Sequence, residues 1–310
     1  MLFSSPTLRA FLACSFVTLV GSVGACASTG RTTFDDEDAG GDAAPPAPTT
    51  DSSAPPIFTD ASLDARPPAG PAAVFGHSGK TLYKLDPDTK AIAVIGDFAG
   101  CTEQVIDIAL DEKSVMYGTT YSGLYRIETA TAKCTKVADA PATKSFPNSL
   151  SFVPKGSLDP ATEALVGYVG SDYVRIEPQT GVLTTIGKLE PTGKLISSGD
   201  IVSVIDGPTY LTVKATGATG QCSASDCLVE VDPKTGAISK NWGELKGQAD
   251  VFGVAFWGGS IYGFTKTGVL FEVVPKNNML TLNEITIPSK PADLSFFGAG
   301  STTSAPVQPK

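Results

Sequence analysis

From residue 72 to residue 300 the chain alternates apolar and polar positions in short runs, and one run returns five times. The copies read Leu82-Tyr83-Lys84-Leu85-Asp86, Leu124-Tyr125-Arg126-Ile127-Glu128, Tyr173-Val174-Arg175-Ile176-Glu177, Leu228-Val229-Glu230-Val231-Asp232 and Leu270-Phe271-Glu272-Val273-Val274. The fourth position is always aliphatic, at spacings of 42 (127−85), 49 (176−127), 55 (231−176) and 42 (273−231) residues. Strand-sized units at a period of roughly 40 to 50 residues predict a β-propeller. Nothing in residues 71–310 has the apolar period of a helix.

Each copy expands into a four-stranded meander whose third strand precedes an outer one. The turns between those two strands read Asp86-Pro87-Asp88-Thr89, Glu177-Pro178-Gln179-Thr180-Gly181 and Asp232-Pro233-Lys234-Thr235-Gly236. Proline presets φ at the second turn residue and glycine accepts the left-handed position, so turn chemistry accounts for these motifs. Gly76, Gly118, Gly167 and Gly263 recur just upstream of the third strand, where a kink or bulge is expected. Blade four departs from the pattern: Lys214 to Asp226 form an insertion with Cys222 inside it and Cys227 at its end.

The inner strands align as Ile106 to Leu110, Asn148 to Phe152, Gly199 to Val204, Phe252 to Phe256 and Ala292 to Phe296. The fifth has no blade after it, and the first blade starts directly at its second strand, Ala72 to Gly76. The C-terminal strand is therefore expected to close the ring and to remove its open edge. The expected organisation is a signal peptide over 1–25, a disordered Asp/Ala/Pro-rich tether over 26–70, an all-β five-bladed propeller over 71–300 and a C-terminal tail over 301–310. The repeats resemble the "LYxIDPxTGxxTxIG" units of secreted bacterial propellers of the quinoprotein-like and YVTN-type superfamily. They are also similar to propeller lipoproteins of Gram-negative bacteria. That resemblance covers residues 72–300 and implies a fold rather than an activity.

The N-terminal region changes the picture of where the propeller works. Arg9 and an uncharged apolar stretch from Ala10 to Val23 form an export signal too short for a comfortable membrane span. It ends in Val23-Gly24-Ala25-Cys26, which matches the lipobox of bacterial lipoproteins. The resemblance implies lipidation of Cys26, with Ala27 after it pointing to the outer membrane of the cell envelope. The following segment is poor in apolar residues and is expected to stay extended and disordered.

Charge and cysteine bound the partners. The chain has 23 basic and 32 acidic residues, of which residues 1–70 hold 3 and 8, leaving 20 against 24 in the remainder. A mildly acidic globule without basic clusters argues against nucleic acid. Four cysteines remain after the export signal and Cys26: an exported chain predicts a Cys222–Cys227 disulfide. Parity would pair Cys101 with Cys134. Strand order, however, puts them on opposite faces about 15 Å apart, beyond the reach of a disulfide, so that pair stays open.

Candidate chemistry gathers at the second position of the aligned inner strands: Asp107, Ser149, Asp200, Gly253 and Asp293. Such a ring at the mouth of the central channel forms a candidate ligand site from Asp107, Ser149, Asp200 and Asp293. The three carboxylates are candidate metal ligands, and calcium is the cation that hard oxygens suit. The competing reading makes each Asp a cap on backbone N–H groups of its own connector. Two positions on, Ala109, Ser151, Val202, Ala255 and Ser295 are small enough to leave a channel, and strand order places the blade-four insertion on this same face. His77 is the only histidine, which excludes His-rich zinc sites and any triad not built on it; it reads as a satisfied polar residue. Trp257, Phe152, Phe256, Phe296 and Phe297 read as core between blades. Two functions remain: a monomeric, lipid-anchored binding or scaffold module for a protein or glycan, or a metal-assisted hydrolase or lyase using Asp107, Asp200 and Asp293.

Overall fold

In the computed structural model, residues 73–288 and 290–308 are described, all within one compact unit. The export signal, the lipidation site at Cys26 and the tether lie outside the described residues. Among those described there is no helix, and twenty strands form five four-stranded antiparallel sheets. Blade one holds β1 (Val74–His77), β2 (Thr81–Leu85) and β3 (Ile92–Asp97). Blade two holds β4 (Asp107–Leu110), β5 (Met116–Thr119), β6 (Gly123–Ile127) and β7 (Cys134–Asp139). Blade three holds β8 (Leu150–Val153), β9 (Ala164–Val169), β10 (Asp172–Ile176) and β11 (Leu183–Lys188). Blade four holds β12 (Leu195–Ser203), β13 (Thr209–Ala215), β14 (Cys227–Val231) and β15 (Ile238–Glu244). Blade five holds β16 (Val251–Trp257), β17 (Ser260–Thr265), β18 (Leu270–Lys276) and β19 (Met279–Ile285), and β20 (Gly298–Ser301) returns to blade one. The protein is a five-bladed β-propeller. The five repeated runs are its third strands, each between a second strand and an outer one.

The ring closes through the C-terminal strand, but five residues later than the alignment placed it. β20 pairs antiparallel with β1, from Val74↔Ser301 to His77↔Gly298. Residues 292–296 are instead a turn and an irregular lead-in. The Phe296 ring is fully buried there, edge-on to Phe264 with centroids 5.0 Å apart, and it faces Tyr83 as well. An aromatic run in a closing segment is thus spent between blades five and one, and the small residues Gly298-Ala299-Gly300 form the inner strand.

Residues 301–308 are not a free tail. Thr302 bridges Leu110 of blade two, and the Ile205 N–H of blade four donates to the Thr303 carbonyl at 2.8 Å. The Thr303 hydroxyl donates to Glu163 of blade three. The Gly258 N–H of blade five donates to the Pro306 carbonyl at 2.7 Å. Thr302 to Ala305 are buried. After closing the ring, the chain runs as a strap across the face formed by the hairpin turns.

The recurrent second-strand glycines have a different cause from the one expected. They sit in unbroken register, as Gly118↔Tyr125 and Gly263↔Phe271 do. A Cβ on Gly263 would enter the cross-strand Phe271 ring, one on Gly118 the Ile127 side chain and one on Gly167 the Ser149 carbonyl, so glycine makes room for close neighbours. Bulges lie between third and outer strands in blades one to four, after Leu82, Leu124, Tyr173 and Leu228, and between inner and second strands in blades four and five, after Ser197 and Val251. Bulges add to the right-handed twist and swing the outer strands across.

That twist explains the second disulfide. Cys101 and Cys134 are bonded, with Cα atoms 5.3 Å apart, as are Cys222 and Cys227 at 5.2 Å. The separation expected from strand order assumed parallel strand axes. In the ring, the end of each outer strand meets the third-to-outer turn of the next blade. The Cys134 N–H donates to the Ala99 carbonyl at 2.7 Å, as the Ile238 N–H does to Leu189 at 2.9 Å. Cys101–Cys134 makes covalent a contact that blades three and four make by hydrogen bond alone.

Two measurements check these seams. Deleting residues 298–310 removes an inner strand and the strap together, and the truncated chain is expected to lose its cooperative thermal transition; an unchanged melt would contradict the closure. Replacing Cys101 and Cys134 with serine should cost about 4 kcal/mol, against about 2 kcal/mol for the pair at Cys222 and Cys227, because the longer loop constrains the unfolded chain more. Equal losses in urea unfolding would contradict the loop-length account.

Candidate functional site

The hub is built from one aligned residue at each inner strand. With β20 in place, that row is Gly298, Asp107, Ser149, Asp200 and Gly253. Opposite them on the second strands stand His77, Thr119, Tyr168, Thr212 and Phe264. Gly298 takes the position that the alignment gave to Asp293, and Gly300 the one given to Ser295. Asp293 lies on an exposed turn, and the three carboxylates do not converge. Among the described residues no group of three His, Cys, Asp or Glu could hold a metal ion. The small residues do not leave an open bore on the side of blades five, one and two. A Cβ on Gly253 would collide with the Gly298 and Ala299 backbone. The Phe256 N–H donates to Ser301 Oγ at 3.0 Å between the inner strands of blades five and one.

Asp107 and Asp200 are brought together, and neither is exposed. Asp200 Oδ1 accepts the Ile201 N–H at 2.7 Å, and its Oδ2 accepts the Val254 N–H of blade five at 3.0 Å. Asp107 Oδ1 accepts the Ile108 N–H at 2.8 Å. The Leu150 N–H of blade three lies toward both carboxyls, and the two acids influence each other's ionisation. Burial raises both well above the usual carboxylate range, Asp107 further through the charge of Asp200. Both Asp200 oxygens accept N–H donors, whereas Asp107 Oδ2 has no such partner. A proton retained by the pair would sit on Asp107 Oδ2, the one oxygen of the two carboxyls that accepts no N–H.

His77 completes the cluster, and its neighbours were not legible in the sequence. It is fully buried, with Nε2 4.0 Å from Asp107 Oδ1. Its Nδ1 lies 2.8 Å from the Ser78 carbonyl, which fixes Nδ1 as the donor and leaves Nε2 a bare acceptor without a partner. The expectation of a satisfied histidine thus holds for one ring nitrogen only. Burial lowers its pKa to about 4, against the gain from Ser78, so the ring is neutral at physiological pH.

The remaining candidates work locally. Ser149 Oγ accepts the Tyr168 N–H at 2.8 Å, bonding its own blade. Thr119 Oγ1 donates to the Pro147 carbonyl at 3.2 Å, and Thr212 Oγ1 to Val251 at 3.3 Å, each tying a second strand to the next blade. The connector-cap reading of the aspartates is also revised, because their donors lie on inner strands of several blades. The blade-four insertion folds back on its base instead of over the acids. Cys222 N–H donates to the Glu244 carboxylate at 3.1 Å, and the Val251 N–H donates to Asp226 Oδ2 at 2.7 Å. Burial raises the Asp226 pKa to about 6.

Chemically, the hub holds two buried carboxyls of raised proton affinity beside a neutral imidazole. It supplies no oxygen cage for calcium, because three of the four carboxylate oxygens already accept backbone N–H groups and Asp293 is elsewhere. No family model and no curated protein matches the chain. Solved structures resemble it at low identity. A protein of unknown function from Bacteroides caccae is 14% identical over 73% of this chain and 77% of that one, with a TM-score of 0.40. Another, from Bacteroides thetaiotaomicron, is 13% identical over 67% of this chain and 56% of that one, TM-score 0.41. A gluconolactonase from Xanthomonas campestris is 14% identical over 68% and 70%, TM-score 0.41. The propeller assignment rests on this chain's own strand pairing, and no activity is carried over from these structures.

Proposed function

We propose that this protein is a non-catalytic binding or scaffold propeller, held at the cell envelope by a lipid on Cys26. Its partners would be the membrane, through that anchor, and a protein or glycan engaged by the propeller surface, with the propeller acting as a monomer. One observation carries the non-catalytic part: the axial acids, the natural candidates for acid–base chemistry, are fully buried, and three of their four oxygens accept N–H groups from the inner strands of blades two, four and five. The lipobox Val23-Gly24-Ala25-Cys26 and the apolar-poor stretch after it support the envelope location, and Ala27 supports the outer membrane.

If the acids are structural, their pH linkage has a defined sign. Asp107 and Asp200 bind protons more tightly folded than unfolded. Their contribution is full below the ordinary value of 3.8 and is lost as pH rises through the folded values. His77 acts oppositely: its contribution is present above 6.5 and is lost as pH falls toward about 4. Asp107→Asn keeps the donor and discards the ionisation, so it should flatten the alkaline decline and melt at or above the native chain at pH 8. Asp200→Asn removes one acceptor from a buried N–H and should cost about 1–3 kcal/mol at every pH. A destabilised Asp107→Asn, or a native melting temperature raised by calcium and lost in that variant, would overturn the structural role. Cys26→Ala is expected to release the protein from sedimented membranes, and continued sedimentation would remove the anchor.

A further inference from the structure

On the hairpin face, blades two and three flank a cleft of about 280 Å³. It lies at the rim, not at the hub, between the β4–β5 turn, the β8–β9 loop and the β10–β11 turn. We infer that this cleft is a saccharide-binding site taking a single neutral sugar ring, a reading that deepens the binding role proposed above by giving it a place and a ligand class.

Three features carry the inference. The first is an aromatic wall that is held in place. Tyr117 lines the cleft half-buried, and buried Phe152 packs edge-on against it, with centroids 5.7 Å apart and planes at 62°. Sugars present an apolar C–H face that packs on such a ring, as aromatic surfaces with polar surroundings do generally.

The second is the balance of charge. Glu112, Lys113, Lys155, Thr162 and Gln179 bring both donors and acceptors to the walls. Glu112 Oε2 faces Lys155 Nζ at 4.0 Å. Asp111 is spent on its own turn, accepting the Lys113 and Val115 N–H groups at 2.9 and 2.8 Å. With both signs present and partly paired, an ion of either sign gains little, whereas a neutral polyol can donate to Glu112 and accept from the lysines. A cleft of this size is at the small end of ligand sites, which favours one ring over a larger ligand.

The third is preorganisation from below. Glu163 lies in the cleft floor, its pKa raised mainly by burial, with Oε2 accepting the Glu112 N–H at 2.8 Å and Oε1 accepting the Thr303 hydroxyl of the strap. Ser304 Oγ donates to the Glu112 carbonyl at 3.2 Å. The strap that completes ring closure thus also sets the position of Glu112. Both Glu112 bonds are to its backbone, so the chain that presents its carboxylate is fixed before any ligand arrives, which lowers the ordering cost of binding.

The test uses the folded propeller with glucose, galactose, mannose and N-acetylglucosamine as probes in isothermal titration calorimetry. At least one is expected to bind with a Kd of about 1 mM or tighter. Tyr117→Ala should weaken that binding about tenfold, and Lys155→Met should weaken it too, while both variants keep the native melting temperature within a few degrees. Thr303→Val, which leaves every cleft side chain in place, should weaken it less, by loosening Glu163. No heat from any of the four sugars at about 10 mM overturns the inference. Heat that survives both Tyr117→Ala and Lys155→Met overturns the site while leaving the protein a binding module.

Discussion

Everything in this fold depends on one strand pair, β1 with β20, which joins the first described segment of the chain to the last. Until it forms, the first sheet lacks its inner strand and the fifth has no neighbour to bury Phe264 against. The pairing is the longest-range contact in the propeller and has the highest loop-closure cost. Its stabilisation comes from several sources acting together: four residue pairs of ladder, the Phe296 ring in the seam and a strap that bonds to the other four blades. The strap matters because a short strand of glycine and alanine offers little side-chain burial of its own.

Small residues at that strand are required by the second feature, a hub where five inner strands come close. Gly298 sits against both Asp107 Oδ1 and His77 Nε2, where a Cβ would collide with each. Close approach of backbones leaves N–H groups near the axis that no sheet ladder can satisfy, and a buried unsatisfied N–H is expensive. Two carboxyl side chains resolve this by accepting donors from blades two, four and five. Two buried negative charges so close would repel strongly, and the raised proton affinity of both acids is how the hub relieves that cost. The same acids that look like ligands in the sequence are therefore better described as the axle of the ring.

A hub closed in this way leaves the proposed recognition to the rim. The rim cleft between blades two and three and the disulfide-bonded loop of blade four lie where side chains are exposed and the backbone is already fixed. Rigidity comes from different devices at the two places: the strap under Glu163 in one, and Cys222–Cys227 with Asp226 in the other. This arrangement suits a module whose scaffold stays constant while its surface meets a ligand.

Fold class was legible because it is written in short-range terms. A third strand of Leu-Tyr-Lys-Leu type followed by Asp-Pro or Glu-Pro needs only local pattern and turn geometry, and five such units imply the ring. The pairing of Asp107 with Asp200 was half legible, since both occupy the same aligned position. Asp293 was misplaced because an aromatic-rich segment before a strand reads like the strand itself, and only packing against Phe264 and Tyr83 separates the two. His77 gave no signal, as its neighbours Asp107 and Gly298 are 30 and 221 residues away (107−77 and 298−77). The Cys101–Cys134 bond depended on accumulated sheet twist, and the strap on where the hairpin turns lie in space. By itself the sequence determined the repeat, its turns and the need for a closing strand. Register at the seam, the raised proton affinity of the buried acids and the contacts between blades were decided by the tertiary structure, because each depends on distances between segments that no local pattern encodes.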